Sequence, residues 1–204
     1  MGWWQRRRER RRWERRLRDE KEARERELRE RRAAFLAKER RRIQLQWRHG
    51  VRDRSIQVIL KPKGMVFIDV HSDTLNGFSI TDGPPLTLPS LDDADVLGAT
   101  VLEALSRSNR QFLPARNMRT DPPGGEVLEM RKAKSWSEYL RHARYVRIYA
   151  SCADIPTVVA FQPYHNMGRS RGQAISEAKF TIAYESPEQL GRAVQAAMAK
   201  ATTV

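Results

Sequence analysis

Apolar and polar positions alternate through residues 56–60, where Ile56, Val58 and Leu60 are the apolar members. A second apolar run, Met65 to Ile68 with Val70, follows the turn-like Lys61-Pro62-Lys63-Gly64. Period-two alternation marks a strand with one buried face, so this stretch predicts a hairpin whose loop is longer than the tightest type. A further short strand is expected around residues 78–81, ahead of the breaker Asp82-Gly83-Pro84-Pro85. Beyond it the period becomes that of a helix. Leu97, Val101, Ala104 and Leu105 fall on one helical face, with Asp93 as an N-cap. The second half of the chain runs through the same order. Alternation at 145–149, a continuous β-rich run at 155–161 and alternation at 178–184 precede a helix from Ser186, with Leu190, Val194, Ala197 and Met198 on one face.

The two helices also match in detail. Asp93-Ala94-Asp95-Val96-Leu97-Gly98 and Ser186-Pro187-Glu188-Gln189-Leu190-Gly191 stand at a constant offset of 93 residues, each with Leu-Gly in the first turn. Pro187 at the first helical position and Gln189 three residues after Ser186 complete a capping box in form. Glycine inside a helix costs about 1 kcal/mol against alanine, so Gly98 and Gly191 predict a close approach to a neighbouring backbone, and a sheet is the expected neighbour. The reading is an α+β fold: two β-β-β-α units, residues 56–109 and 145–203, forming a mainly antiparallel sheet packed by helices within one domain, 55–204. Chance similarity of two capped amphipathic helices is the alternative to an internal repeat.

The segment joining the units contains a loop, Asp121-Pro122-Pro123-Gly124-Gly125. After it Ser135 is placed to cap a helix with Glu138 three residues on. Trp136, Tyr139, Leu140 and Ala143 are spaced for one helical face, and core packing is the expected role of these aromatics.

Composition changes the picture only at the N-terminus. The 204 residues carry a net charge of +14, of which residues 1–54, with 22 Lys/Arg and 10 Asp/Glu, hold +12 and residues 55–204 only +2. From Trp3 to His49 there is neither proline nor glycine, and Arg, Glu, Ala and Leu dominate, so a long charged helix is expected over 1–50. Acid-to-base pairs four apart (Glu14/Arg18, Glu20/Arg24, Glu22/Arg26, Glu25/Arg29, Glu27/Arg31) support it by about 0.2–0.5 kcal/mol each. Its apolar residues are too sparse for a coiled coil. Three readings stand for this extension. It is an arm giving nonspecific affinity for nucleic acid or an acidic membrane, with Trp3, Trp4 and Trp13 beside basic triplets; or a solvated charged face, ordered or not; or a stretch upstream of a true start near Val51 or Met65.

No run of 18 apolar residues exists and the start lacks a signal's apolar segment, so a cytoplasmic protein is expected. A single cysteine, Cys152, excludes an internal disulfide and is expected to pack as a small hydrophobe. Candidate chemistry is sparse. Asp69, His71 and Asp73 would share one face of a strand, which suits an acid/base group or weak metal site, yet a strand end meeting a polar loop explains them as well. No nucleophile elbow, phosphate loop or zinc spacing is present, so no catalytic residue, no metal and no cofactor are assigned and enzymatic activity is not expected. Gly168-Arg169-Ser170-Arg171-Gly172, after His165, reads as an exposed basic loop suited to an acidic partner surface, with a plain solvated loop as the alternative. His165, Arg169 and Arg171 are the candidate partner-binding residues.

The body, residues 56 to 204, resembles the immunity proteins of bacterial contact-dependent growth inhibition systems (CdiI). The resemblance is carried by Trp136 and Tyr139 ahead of the strand at 145–149, the strand Val158 to Phe161 closing on Pro163, and the ending Ser186 to Val194. Asp95-Val96-Leu97-Gly98 with Ala104-Leu105-Ser106-Arg107-Ser108 fits the first half. It implies a protein that binds the C-terminal toxin domain of a cognate effector, commonly a nuclease, and blocks it by occluding its active site. A basic nucleic-acid-associated protein acting through the N-terminal helix is the alternative.

Overall fold

The computed structural model describes residues 3–48, 53–74, 78–110, 113–114, 125–130, 133–151, 155–168 and 172–204. Side chains are excepted at 3–12, 39–40, 42–48, 125–126, 130 and 151. By contact the chain divides into two units, 1–44 and 45–204.

The first is helical. Helix α1, Trp3–Arg48, runs for 46 residues, as an Arg/Glu-rich sequence free of proline and glycine dictates. Two of the anticipated pairs are closed, Glu27 to Arg31 at 2.6 Å and Glu25 to Arg29 at 3.9 Å. Trp13, Leu17, Leu28 and Phe35 are all exposed.

The second unit is built on an antiparallel sheet. Strands β1 (Asp53–Leu60) and β2 (Val66–Asp73) form the expected hairpin. Its turn is closed by Gly64, whose φ of 87° is the left-handed conformation glycine adopts at no steric cost. Strands β3 (Ser79–Thr81) and β4 (Leu86–Leu88) both pair with the outer edge of β2, as one strand interrupted by Asp82-Gly83-Pro84-Pro85. Helix α2 (Ala94–Arg107) follows. After the short helices α3 (Gly125–Met130) and α4 (Trp136–Tyr139) come β5 (Arg144–Ser151) and β6 (Val158–Asn166). Strands β7 (Gly172–Ala174) and β8 (Phe180–Ala183) share the outer edge of β6, separated by a 3-10 turn at Ser176–Ala178. Helix α5 (Pro187–Lys200) and the two-residue β9 (Thr202–Thr203), parallel to β6, end the chain.

The halves meet where β1 pairs antiparallel with β5, so the sheet order is β3/β4-β2-β1-β5-β6-β7/β8. Val58 at the centre faces Ile68 on one side and Val146 on the other. Helices α2 and α5 lie together against one face. There Ile56, Val58, Ile68, Val146, Ile148 and Phe161 from the strands close on Leu97, Leu105, Leu190 and Met198, all fully buried. Burying such side chains contributes about 1.5–3 kcal/mol each and is the main force holding the unit together.

Three local expectations are corrected. The close neighbour of each Leu-Gly turn is the other helix, not the sheet: a β-carbon on Gly98 would fall on the carbonyl of Pro187, and one on Gly191 on the carbonyl of Ala94. Strand β6 does not end before Pro163 but runs three residues past it. The Pro163 carbonyl accepts from Ile175 N–H at 3.0 Å, so its backbone faces the outer edge, where the 3-10 turn interrupts the ladder and no N–H is required. The helix at Ser135 is a single turn, ended by a reversal at His142 (φ 53°). Strands β4, β7 and β9 are two or three residues long, too short for periodicity to register. Asp121 to Gly124 and Cys152 lie outside the described residues.

The caps form as the sequence predicts, with one variation. Ser186 Oγ accepts from Gln189 N–H and Ser135 Oγ from Glu138 N–H, both at 3.2 Å. The return bonds, from Glu185 N–H to Gln189 and from Lys134 N–H to Glu138, close on the residue before the cap.

Candidate partner-binding surface

The face of the sheet turned away from α2 and α5 changes character along the strands. At one end Phe67, Ile59, Tyr145 and Tyr164 stand side by side across four strands. Here Val127 of α3 and Tyr139 of α4 pack over the apolar row, with Ala143 beside them. Tyr139 sits 5.4 Å from Trp136, edge to face, and Lys61 Nζ donates to its carbonyl. Asn166 fastens this corner, its amide donating to the carbonyls of Leu140 and Ala143 at 2.7 Å each.

One step along, the same strands are polar. Asp69, Gln57, Arg147 and Gln162 form the next row, then Thr81, His71, Ser55, Tyr149 and Ala160. Arg147 is exposed, Tyr149 is 37% exposed, and Ser55, His71 and Gln162 are half-buried. The Arg147 guanidinium lies 5.7 Å from the centre of the Tyr164 ring, a cation–π distance. Tyr164 in turn stacks on Tyr145 at 5.0 Å. The Tyr145 hydroxyl occupies the space above Gly172 that any side chain there would need. Among the described residues Arg147 has no carboxylate partner in an ion pair.

Electrostatics follow from this layout. Burial first, and the Arg147 charge second, lower the His71 pKa to about 4, so the imidazole is neutral at neutral pH. Burial raises the Tyr145 hydroxyl to about 12 and also raises Tyr164, helped by Tyr149. The phenols therefore remain protonated donors beside the guanidinium. Asp69 is 2% exposed and accepts from the Tyr139 hydroxyl at 3.5 Å.

Asp69, His71 and Asp73 do alternate onto one face of β2, as the sequence implied. Among the described residues, no three His, Cys, Asp or Glu side chains group as a metal site. His165 lies in β6 beside β9, half-buried, with Nδ1 2.7 Å from Thr202 Oγ1. Arg169 and Arg171 lie outside the described residues. Arg147, Tyr149 and Tyr164 are absent from the sequence-derived candidates, and Gln57 between them and Asp69 is buried. The signal was available in Tyr145-Val146-Arg147-Ile148-Tyr149, whose second phase is Tyr-Arg-Tyr. A strand read for its buried phase leaves the other phase unassigned until the covered face is known.

No helix among the described residues is long and apolar enough to cross a membrane. No known family's sequence pattern matches the chain, and no curated protein does. Solved structures do. A protein of unknown function from Neisseria meningitidis is 18% identical, with a TM-score of 0.54 over 74% of this chain and 96% of its own. A chain in a CdiA-CT/CdiI toxin and immunity complex from Yersinia pseudotuberculosis is 14% identical, with a TM-score of 0.53 over 74% of this chain and 99% of its own. At such identities the likeness is one of fold.

Proposed function

We propose that this protein is an immunity protein of a contact-dependent growth inhibition system. It acts in the cytoplasm, without turnover, by binding the C-terminal toxin domain of a cognate effector and occluding its active site. The observation that carries the reading is the fold likeness to a chain in a CdiA-CT/CdiI complex, which extends over 99% of that chain. Blocking by occlusion asks only for a rigid surface of matched shape and charge, and a sheet backed by two interlocked helices is such a scaffold. The test is protection. Cells expressing the C-terminal toxin domain of the cognate effector should stop growing, and co-expression of this protein should restore growth. Purified toxin activity should fall to zero at a 1:1 ratio. Toxin activity unchanged at excess protein would end the proposal.

A second reading rests on α1. The +12 carried by residues 1–54 suits sequence-independent attraction to a polyanion, which would make the chain a nucleic-acid-associated protein with the helix as its arm.

A further inference from the structure

Where α3 and α4 pack over the far sheet face its residues are apolar, and where they do not its residues are polar and aromatic, although the strands are the same. Beside Ser55, Thr81 and Gln162 the surface gathers an arginine and tyrosines, residue types enriched where binding energy concentrates at protein interfaces: tyrosine offers large contact area with two rotatable bonds, and arginine a planar fork of donors. The guanidinium is already held in place against the Tyr164 ring, so less side-chain freedom is lost on binding.

The charge of the cluster is one-sided. Arg147 is a cation with no paired carboxylate among the described residues, and the neutral phenols beside it can donate or accept a hydrogen bond. Of the acids on this face, Asp69 is buried and bonded to Tyr139, and Asp73 lies at the end of β2, where its backbone N–H donates to Asn109. The fan of N–H donors on arginine matches the two oxygens of a carboxylate.

We infer that the patch of Arg147 and Tyr149, bordered by Tyr164 of the covered row, is the docking site for a protein partner, and that the partner inserts an Asp or Glu side chain against Arg147. The inference rests on the immunity reading and names the toxin surface involved: one presenting a carboxylate, flanked by groups that cover Tyr149. Complementarity of charge selects this occupant over a basic surface, which Arg147 would repel.

The experiment measures affinity of the full-length chain for a catalytically inactive form of the cognate effector's C-terminal toxin domain, by calorimetry, for wild type, R147E, R147Q and Y149A. Arg147 is exposed, so all four should fold alike, with matched circular dichroism and melting as the control. R147E should weaken binding by about 100-fold or more and Y149A by roughly tenfold. One Asp→Lys or Glu→Lys change on the toxin should restore affinity to R147E alone, a rescue that a merely structural arginine would not give. If wild type binds and R147E binds within twofold of it, the docking site is overturned while the immunity reading stands. If wild type itself fails to bind, both fall. If R147E loses binding to a single-stranded RNA oligonucleotide but keeps its toxin affinity, the patch belongs to nucleic acid and the inference is overturned.

Discussion

His71 is a half-buried imidazole whose neighbours set its charge. Ser55 stands opposite it on β1 and Thr81 on β3; Asp69 and Asp73 share its face of β2, and Arg147 and Tyr149 face it from β5. Burial and the guanidinium hold its pKa near 4, against 6.5 in an unfolded chain. The unfolded state therefore binds the proton more readily. Stability is full above about pH 6.5 and falls as pH drops toward 4, by up to about 3 kcal/mol over that window. Denaturant unfolding at pH 7.5 and pH 5 should record this loss in wild type and a smaller one in H71Q. Equal losses in the two proteins would show that other groups govern the acid limb.

At the level of elements, the pair α2 and α5 behaves as one unit because each glycine lies against the first turn of the opposite helix. The contacts are reciprocal: Gly98 meets Pro187 and Gly191 meets Ala94, and both pairings obey the 93-residue offset seen in the sequence. Alanine at an ordinary helical glycine gains about 1 kcal/mol. Here it should do the opposite. G98A and G191A should each cost about 2–3 kcal/mol, since a methyl group would press on a backbone carbonyl that can yield only by separating the helices from the core. Thermal melting should show drops of roughly 5–10 °C. An unchanged or raised Tm would mean that the two helices are free to part at no cost. That glycine was required was legible from Leu-Gly in both helices. Which backbone it approached was not, because a helix carries no mark of which element will lie against its bare position.

For the whole molecule, the division into units 1–44 and 45–204 separates the two functional readings. A chain shortened to residues 45–204 keeps the sheet, both core helices and the Arg147 patch, while most of the basic helix is gone. It should melt cooperatively and bind the toxin domain with the affinity of the full chain. Binding to mixed-sequence duplex DNA should be confined to the full chain and fall steeply between 50 and 200 mM salt, as about 10³–10⁵-fold losses do for six to ten phosphate contacts. Toxin affinity lost on shortening would move the function to α1.

Local periodicity and cap chemistry were sufficient to define the long N-terminal helix, the hairpin, the two capped helices and the α+β class, because each depends on residues within a turn or two of one another. The caps at Asp93, Ser135 and Ser186 all form where the sequence put them. Long-range closure decided the rest. The pairing of β1 with β5 set which strand phase faces the two helices, and so left Tyr145, Arg147 and Tyr149 on the far side. The position of α3 and α4 then decided which part of that side is packed and which carries the polar patch. Alternation gives a strand two faces with equal regularity; only the packing of distant segments says which one meets a partner.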